Sequence, residues 1–514
     1  MPTPLHGSKE PYRLRSNVIY FTDWRYVSPG SFRWTDSDGK SVPLWSTELP
    51  GEIRWNSSDM PEGVHMKAQR AGKTGVILTR NRPWEWLVSW SNLIYDEGRY
   101  RLWYECTPLS SYAYSKQRVV GHHNLLCYAE SDDGFHWERP KLGLLEFEGE
   151  DTNIVFGGEL AGENGFHGGG VFKDPSAPPE ERYKLIYLGI VTPGEFEKYR
   201  RDRPQEIDPR AVREDLGRVF GVYGAVSPDG IHWRRLPGPL VVQHSDTKNT
   251  AYYDPDLGKY VGYFRTWYFG RRCIGRCETD DFRRWPLPET IISPASELGP
   301  SNQWYTNAKT LYPGTSEYHL MFPALYRISQ DTTEVHLLSS ADGIVWSFVP
   351  GGAVISPGPL GSWDGGCIFA KNDLVPLPDG RVALPYTGYP VPHKYPRARS
   401  MGDMGYAVWE KGRLSAIEVE GRGEFALARL FVTGSRMKLN LRTKRSGYVL
   451  VEIADSKGRP LPGRSFADAD PIVGDHLERH VSWHGEEKLG CSPDTPILIR
   501  FKMRAAELFS VEFV

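Results

Sequence analysis

A short motif recurs along this chain: Ser131-Asp132-Asp133-Gly134-Phe135-His136-Trp137, then Ser227-Pro228-Asp229-Gly230-Ile231-His232-Trp233, then Ser340-Ala341-Asp342-Gly343-Ile344-Val345-Trp346. A weaker copy, Thr279-Asp280-Asp281-Phe282-Arg283-Arg284-Trp285, sits between the second and third. Its chemistry is that of a turn between strands. The carboxylate can cap backbone N–H groups, glycine takes the positive φ, and tryptophan returns to the core. Strand-like runs precede each copy: Asn124–Glu130, Phe220–Val226, Cys273–Glu278 and Glu334–Ser339. Further aromatic runs lie ahead of these, at Tyr100–Glu105, Tyr183–Gly189, Tyr260–Trp267 and Tyr318–Leu325. Antiparallel units repeated at intervals of roughly fifty residues or more are the signature of a β-propeller. A fifth unit without the motif runs from Trp363 through Val382–Tyr386 to Tyr406–Trp409. Five blades are therefore expected, with Asn17–Trp24 as the strand that closes the ring.

Composition agrees. The chain holds 53 Gly, 40 Pro, 17 Trp, 27 Tyr and 21 Phe, which favours many short, turn-punctuated strands over long helices. An all-β fold follows. After about Glu424 the motif stops, and alternating runs at Met437–Leu441, Tyr448–Ile453, Pro496–Met503 and Glu507–Val514 predict a β-sandwich. The expected domains are thus residues 1–420, a five-bladed propeller with the N-terminal segment helping to close it, and residues 421–514, the sandwich. One helix is expected, at Asp208–Leu216, in an insertion from Pro193 to Arg213 that is read as a surface excursion of blade two and a rim to a pocket.

Lys plus Arg is 62 against 64 Asp plus Glu, a formal charge of -2, which argues against a dedicated nucleic-acid binder. No apolar run is long enough to span a bilayer, so no membrane partner is expected. The first residues carry no basic and apolar leader, and the six cysteines form no disulfide framework. A reducing, cytoplasmic location is the expectation. His122-His123 has no companions at metal-ligand spacing, so no metal and no required cofactor are expected. A structural Ca²⁺ at the axis is compatible with the acids there, but no motif specifies one.

The order propeller then sandwich resembles the glycoside hydrolases of the invertase, levanase and arabinanase type, over nearly the whole chain. Phe172-Lys173-Asp174-Pro175 is similar to the Arg-Asp-Pro element of invertases, with Lys in place of Arg. The resemblance implies that Asp174 stabilises the transition state. Leu93–Tyr104 is similar to the first blade, whose preceding motif bears the nucleophile; here that stretch reads Ser89-Trp90-Ser91-Asn92, with no acid. The invertase-type Glu-Cys-Pro acid motif has no counterpart. The chain is read as a divergent member.

Glycoside cleavage generally takes two carboxyl groups across the scissile bond, and a propeller offers its axial funnel for them. The candidate catalytic acids near the starts of the first strands are Glu85, Asp174, Asp246 and Asp364. Three or more of them should meet in one funnel, and at least one should have a raised pKa. Asp23, His167, Arg265, Tyr305, Trp84 and Trp363 are the candidate substrate-binding residues. The motif acids Asp133, Asp229 and Asp342 are assigned to structure, because a repeated residue serves the repeated fold. The reaction expected is hydrolysis of a glycosidic bond, with a furanosidic linkage in a polysaccharide among the options and inversion favoured by Ser89 at the nucleophile position. The competing readings are a non-catalytic glycan-binding propeller and a sialidase-like hydrolase, the latter needing three converging arginines.

Overall fold

The computed structural model describes residues 11–28, 63–110, 124–394 and 401–514, with strand backbone alone at a few positions from 30 to 59. The fold is all-β, built from antiparallel sheets. It divides into two compact units. One holds residues 70–348 and 353–409; the other gathers the residues up to Gln69, Val349–Gly352 and Glu410–Val514.

The first unit consists of successive sheets that follow the repeat. Sheet one is Leu87–Asp96, Arg99–Thr107, Leu125–Ser131 and Ile154–Gly157. Sheet two is His167–Lys173, Tyr183–Val191 and Arg218–Ser227, edged by short strands. Sheet three is Thr250–Asp254, Lys259–Tyr268, Arg271–Thr279 and Glu289–Ile292. The fourth repeat is split, because Pro323 has no N–H to continue the ladder between His319–Met321 and Ala324–Arg327. Sheet five is Cys367–Ala370, Arg381–Tyr389, Asp403–Glu410 and Gly72–Leu78. Its edge therefore comes from the N-terminal side of the first sheet, but from Gly72–Leu78 and not from Asn17–Trp24. Val18–Tyr20 instead pairs with Glu512–Ser510 in the second unit. Both segments are short and β-prone, and only pairing partners distant in sequence distinguish them.

The repeated turns share one hydrogen-bond pattern. In each, the Ser Oγ donates to the Asp Oδ1 at 3.0 Å and accepts the Gly N–H at 2.9 Å. The same Oδ1 accepts two further backbone N–H groups. The glycines stand at φ 80°, 79° and 70°, where a side chain would strain the turn. Each glycine carbonyl is then clasped from the neighbouring sheet. Trp103 Nε1 of sheet one donates to Gly230 at 2.7 Å, and Tyr263 Oη of sheet three donates to Gly343 at 2.7 Å. Tyr406 Oη of sheet five donates to Gly134 of sheet one at 2.8 Å. Trp233 and Trp346 each donate Nε1 to the carbonyl of their own motif glycine at 3.0 Å, whereas Trp285 of the weaker copy is fully buried and donates to Phe282 O at 2.7 Å; Trp346 lies edge-on to Tyr263 at 6.1 Å.

Asp229 illustrates the energetics. Burial opposes its ionisation, but hydrogen bonds from His232 and Ile231 prevail and draw its pKa down to about 2. A depressed carboxylate stabilises the fold above its unfolded pKa of about 3.9, and that contribution is lost as pH falls toward 2. Asp229→Ala should cost about 1 kcal/mol at pH 7, as loss of a capping carboxylate does. The gap from wild type should shrink near pH 2.5, as read by urea denaturation at both pH values.

The first strands of the sheets are joined by buried side chains. Asn92 Oδ1 accepts from Val171 N at 2.9 Å and from Lys248 Nζ; Thr250 Oγ1 donates to Asn307 at 2.8 Å; Asn372 Nδ2 donates to Lys309 O at 3.1 Å; and Asn372 bridges back to Asn92. These contacts link sheet one to sheets two and three, three to four and four to five, and the return from Asn372 to Asn92 is a main-chain bridge.

The expected helix lies elsewhere. Asp208–Leu216 forms two 3-10 turns, Pro209–Ala211 and Glu214–Leu216, whereas Pro193–Asp202 is an α-helix. Pro193 occupies its first turn, and Thr192 with Glu195 completes a capping box.

In the second unit, two long strands, Met437–Ala454 and Leu498–Phe513, lie side by side, flanked by Ser415–Ala426 and Asp475–His480. Their pairing shifts register between Thr443 and Tyr448, a bulge that bends both strands around a core including Val451, Phe501 and Trp483. Among the described residues, no helix is long and apolar enough to cross a membrane.

Candidate active site

The first unit carries a cleft of about 590 Å³ whose wall includes Asp246, Arg265, Arg272, His244 and Trp267, with Arg210 to Asp215 of the excursion forming its rim. The insertion thus does border a pocket.

Asp246 precedes the first strand of sheet three and is half exposed, its side chain 43% accessible. His167 opens the first strand of sheet two, and its Nε2 lies 3.1 Å from Asp246 Oδ1. On the other side, His167 Nδ1 lies 2.8 Å from Glu105 Oε1. Glu105 is buried, and it also accepts from Gly168 N at 2.7 Å, Asn124 Nδ2 at 2.9 Å and Ser89 Oγ at 3.2 Å. An imidazole thus bridges two carboxylates. Burial disfavours its charge, but Glu105 and the Asp246 hydrogen bond outweigh that and hold His167 protonated well above the usual range. Burial likewise opposes the Asp246 charge, yet His167 and then Arg265 keep its carboxyl far below the usual range.

A group raised in the folded state stabilises fully below its unfolded pKa, and that gain is lost as pH rises through the folded value. His167 should therefore remain protonated at pH 7.5, where an ordinary histidine is mostly neutral, as read by imidazole ¹⁵N shifts. The destabilisation caused by His167→Gln should be largest below about pH 6.5 and fall off in alkali.

Arg265 is buried; its Nη2 donates to Tyr305 O at 3.0 Å, and its Nη1 lies 4.0 Å from Asp246 Oδ2. The partner that a cation on an apolar strand requires is thus Asp246. Cations and rings alternate in the wall and behind it, where Tyr305 is buried. Arg265 lies 4.4 Å over Tyr305, Arg272 5.0 Å from both Tyr305 and Trp267, and Arg210 4.8 Å over Trp267. Burial pushes the His244 imidazole down, and its ring stacks on Phe220 at 4.6 Å.

Of the candidates named from sequence, the structure brings His167, Asp246, Arg265 and Tyr305 together. The other acids are held elsewhere by partners of their own. Glu85 is buried and takes Arg139 Nε at 2.8 Å, Tyr104 Oη at 2.7 Å and two backbone N–H groups. Asp174 is buried and takes Tyr260 Oη at 2.7 Å, Ser176 Oγ at 2.6 Å and the Lys184 ammonium at 3.4 Å. It follows the last residue of the strand that His167 begins, so it stands at the opposite end of that strand. Asp364 pairs with Lys73 at 2.6 Å on the edge of sheet five and accepts from Tyr386. Burial raises the Asp364 pKa, but Lys73, Ser362 and Tyr386 together outweigh it and leave the carboxyl lowered. Asp23 lies in the second unit, paired with Arg25. Trp84 is core, bonded to Asn153, and Trp363 stacks on Tyr386. Asp23 is consumed by a neighbour two residues away, whereas Glu85, Asp174 and Asp364 also meet partners distant in sequence: Arg139, Tyr260 and Lys73.

Among the described residues a raised carboxyl is found at Asp373, pushed up to about 6 by burial despite its hydrogen bond from Asn92 and the charge of Lys248. It lines a different cavity of about 530 Å³, along with Lys309 and Tyr252. Sequence reasoning missed Glu105, Arg272 and Lys371, the last a buried ammonium 4.7 Å over Trp90. Glu105 had a signal: it is a lone acid in the apolar run Leu102-Trp103-Tyr104-Glu105-Cys106. Among the described residues, no cluster of His, Cys, Asp and Glu could hold a metal ion.

A scan against protein-family models finds no match, and a search of curated proteins finds none. Solved structures give distant likenesses, several of them glycoside hydrolases. A β-fructofuranosidase from Bombyx mori is 11% identical with TM-score 0.41, over 88% of this chain and 94% of that one. A glycosyl hydrolase from Bacteroides ovatus is 14% identical with TM-score 0.41, over 63% and 84%. An N-acetylgalactosamine deacetylase from F. plautii is 13% identical with TM-score 0.39, over 76% and 96%.

Proposed function

We propose that the chain is a carbohydrate-active hydrolase, a five-bladed propeller with a C-terminal sandwich, that cleaves glycosidic bonds in the cleft at Asp246. The observation that carries this reading is the Glu105–His167–Asp246 bridge opening onto a wall of stacked arginines and aromatic rings. The first strands' contacts, which return from sheet five to sheet one, support the propeller.

The resemblance to invertases left sheet one without an acid at Ser89. Glu105, on the adjacent strand, supplies a carboxylate within hydrogen-bond reach of that serine. Buried and surrounded by donors, it fixes the His167 ring and cannot itself attack a sugar. His167 in turn keeps Asp246 ionised and oriented. Asp246, held ionised, orients an attacking water and takes its proton late, as the bond to the anomeric carbon forms and that water turns strongly acidic. Glu214, a wall carboxyl with no ion pair among the described residues, protonates the leaving oxygen. Water attacks directly, so the anomeric configuration inverts. NMR of the first-formed product, on whichever glycoside a reducing-sugar screen identifies, tests this. Formation of the retained anomer would overturn it.

A second reading, a non-catalytic glycan-binding cleft, is favoured by the complete pairing of Glu85, Asp174 and Asp364. Binding of oligosaccharide without release of reducing ends would establish it.

A further inference from the structure

The cleft is lined by four arginines, Arg210, Arg213, Arg265 and Arg272, against three acids, Glu214, Asp215 and Asp246. Arg213 is paired with Asp215, and Asp246 is shared between His167 and Arg265. Arg272 has no carboxylate within ion-pairing distance among the described residues. Its Nη1 donates to the neutral Gln303 amide at 2.7 Å, and its guanidinium lies 5.0 Å from the rings of both Trp267 and Tyr305. Burial, followed by the adjacent Arg265 charge, pushes the Arg272 guanidinium down from its ordinary range, so the site strains against holding it charged. Its Nε and that of Arg265 are both buried without a hydrogen-bond partner. Removing a guanidinium from water without a counter-ion is costly, and a bound anion of matching planar geometry reverses that cost.

Resting on the reading of this cleft as a sugar site, we propose that its substrate is an anionic sugar, whose oxyanion substituent pairs with Arg272 and Arg265. Trp267 and Tyr305 hold these guanidinium groups in place by stacking, and Arg210 extends the cationic wall toward the rim. A uronate carboxylate and a sugar sulfate share the required chemistry: delocalised negative charge on oxygens that accept paired N–H donors.

The test is calorimetric titration of the whole protein with methyl glucuronide, glucose 6-sulfate and methyl glucoside, alongside inorganic sulfate. The expected result is at least tenfold tighter binding of one anionic sugar than of methyl glucoside. Which of the two binds identifies the oxyanion. Arg272→Gln should remove that preference, and Arg272→Lys should restore part of it; thermal melts confirm that both variants fold. Equal affinity for neutral and anionic sugars would overturn the inference, as would inorganic sulfate binding as tightly as either sugar. Failure of the two readings is separable. Turnover of neutral glycosides with no anionic preference sinks the inference and leaves the hydrolase. Selective binding of an anionic sugar that no panel member shows to be cleaved sinks the hydrolase and leaves the inference.

Discussion

Asp246→Asn should abolish turnover, lowering kcat at least a thousandfold, about 4 kcal/mol of transition-state stabilisation, with KM changed by only a few-fold. The amide keeps the shape and can still meet His167, but it cannot accept the proton of an attacking water. Because that acceptance develops in the transition state, the loss belongs in kcat. Stability should also respond, since the variant leaves the protonated His167 with Glu105 as its single carboxylate partner. Asp246→Asn should therefore shift the His167 pKa downward, a change visible in the imidazole ¹⁵N shifts and independent of any activity assay. Glu214→Gln should also lower kcat, because the leaving oxygen loses its proton donor. If Asp246→Asn turns over glycoside at near-normal rates, the chemistry does not reside in this cleft.

Asp174→Ala should unfold the protein far more readily, at a cost of about 3–5 kcal/mol, while any activity per folded molecule stays near wild type. Lys184 is as buried as Asp174, and burial pushes its ammonium pKa down while Asp174 opposes that shift. Taking the carboxylate away leaves a buried cation with Glu181 at 3.9 Å as its remaining acidic partner, and it orphans the hydroxyls of Tyr260 and Ser176. Urea denaturation measures the cost; the double variant Asp174→Asn with Lys184→Met should recover part of it by removing both charges together. The resemblance to invertases assigned Asp174 to transition-state stabilisation, which predicts the reverse: unchanged stability and a large fall in kcat. The two outcomes do not overlap.

Much of the architecture was legible in one dimension. The turn motif has a local mechanism, with serine, aspartate and glycine satisfying one another within a few residues, so its recurrence marks out the successive sheets along the chain. For the same reason the motif aspartates could be set aside as structural. Capping at Thr192-Pro193-Gly194-Glu195 is equally local, and that cap, rather than the charge pattern around Asp208–Leu216, marks where the helix begins.

The candidate site divides along the same line. That His167, Asp246 and Arg265 stand near first-strand starts, or as a lone charge on an apolar strand, could be seen in the sequence. Which acid remains open to solvent could not. Glu85, Asp174 and Asp364 carry the same local marks as Asp246, and they differ only in partners drawn from residues far along the chain: Arg139, Tyr260 and Lys73. Glu105 meets His167 across 62 positions, and Gly72–Leu78 reaches Asp403–Glu410 across more than three hundred. Local hydrogen bonds and strand alternation are encoded residue by residue, and these the sequence determined by itself. Ion pairing and burial depend on which distant groups the folded chain brings within about 4 Å. Tertiary structure alone decided those, and with them which paired carboxylate stays open to solvent.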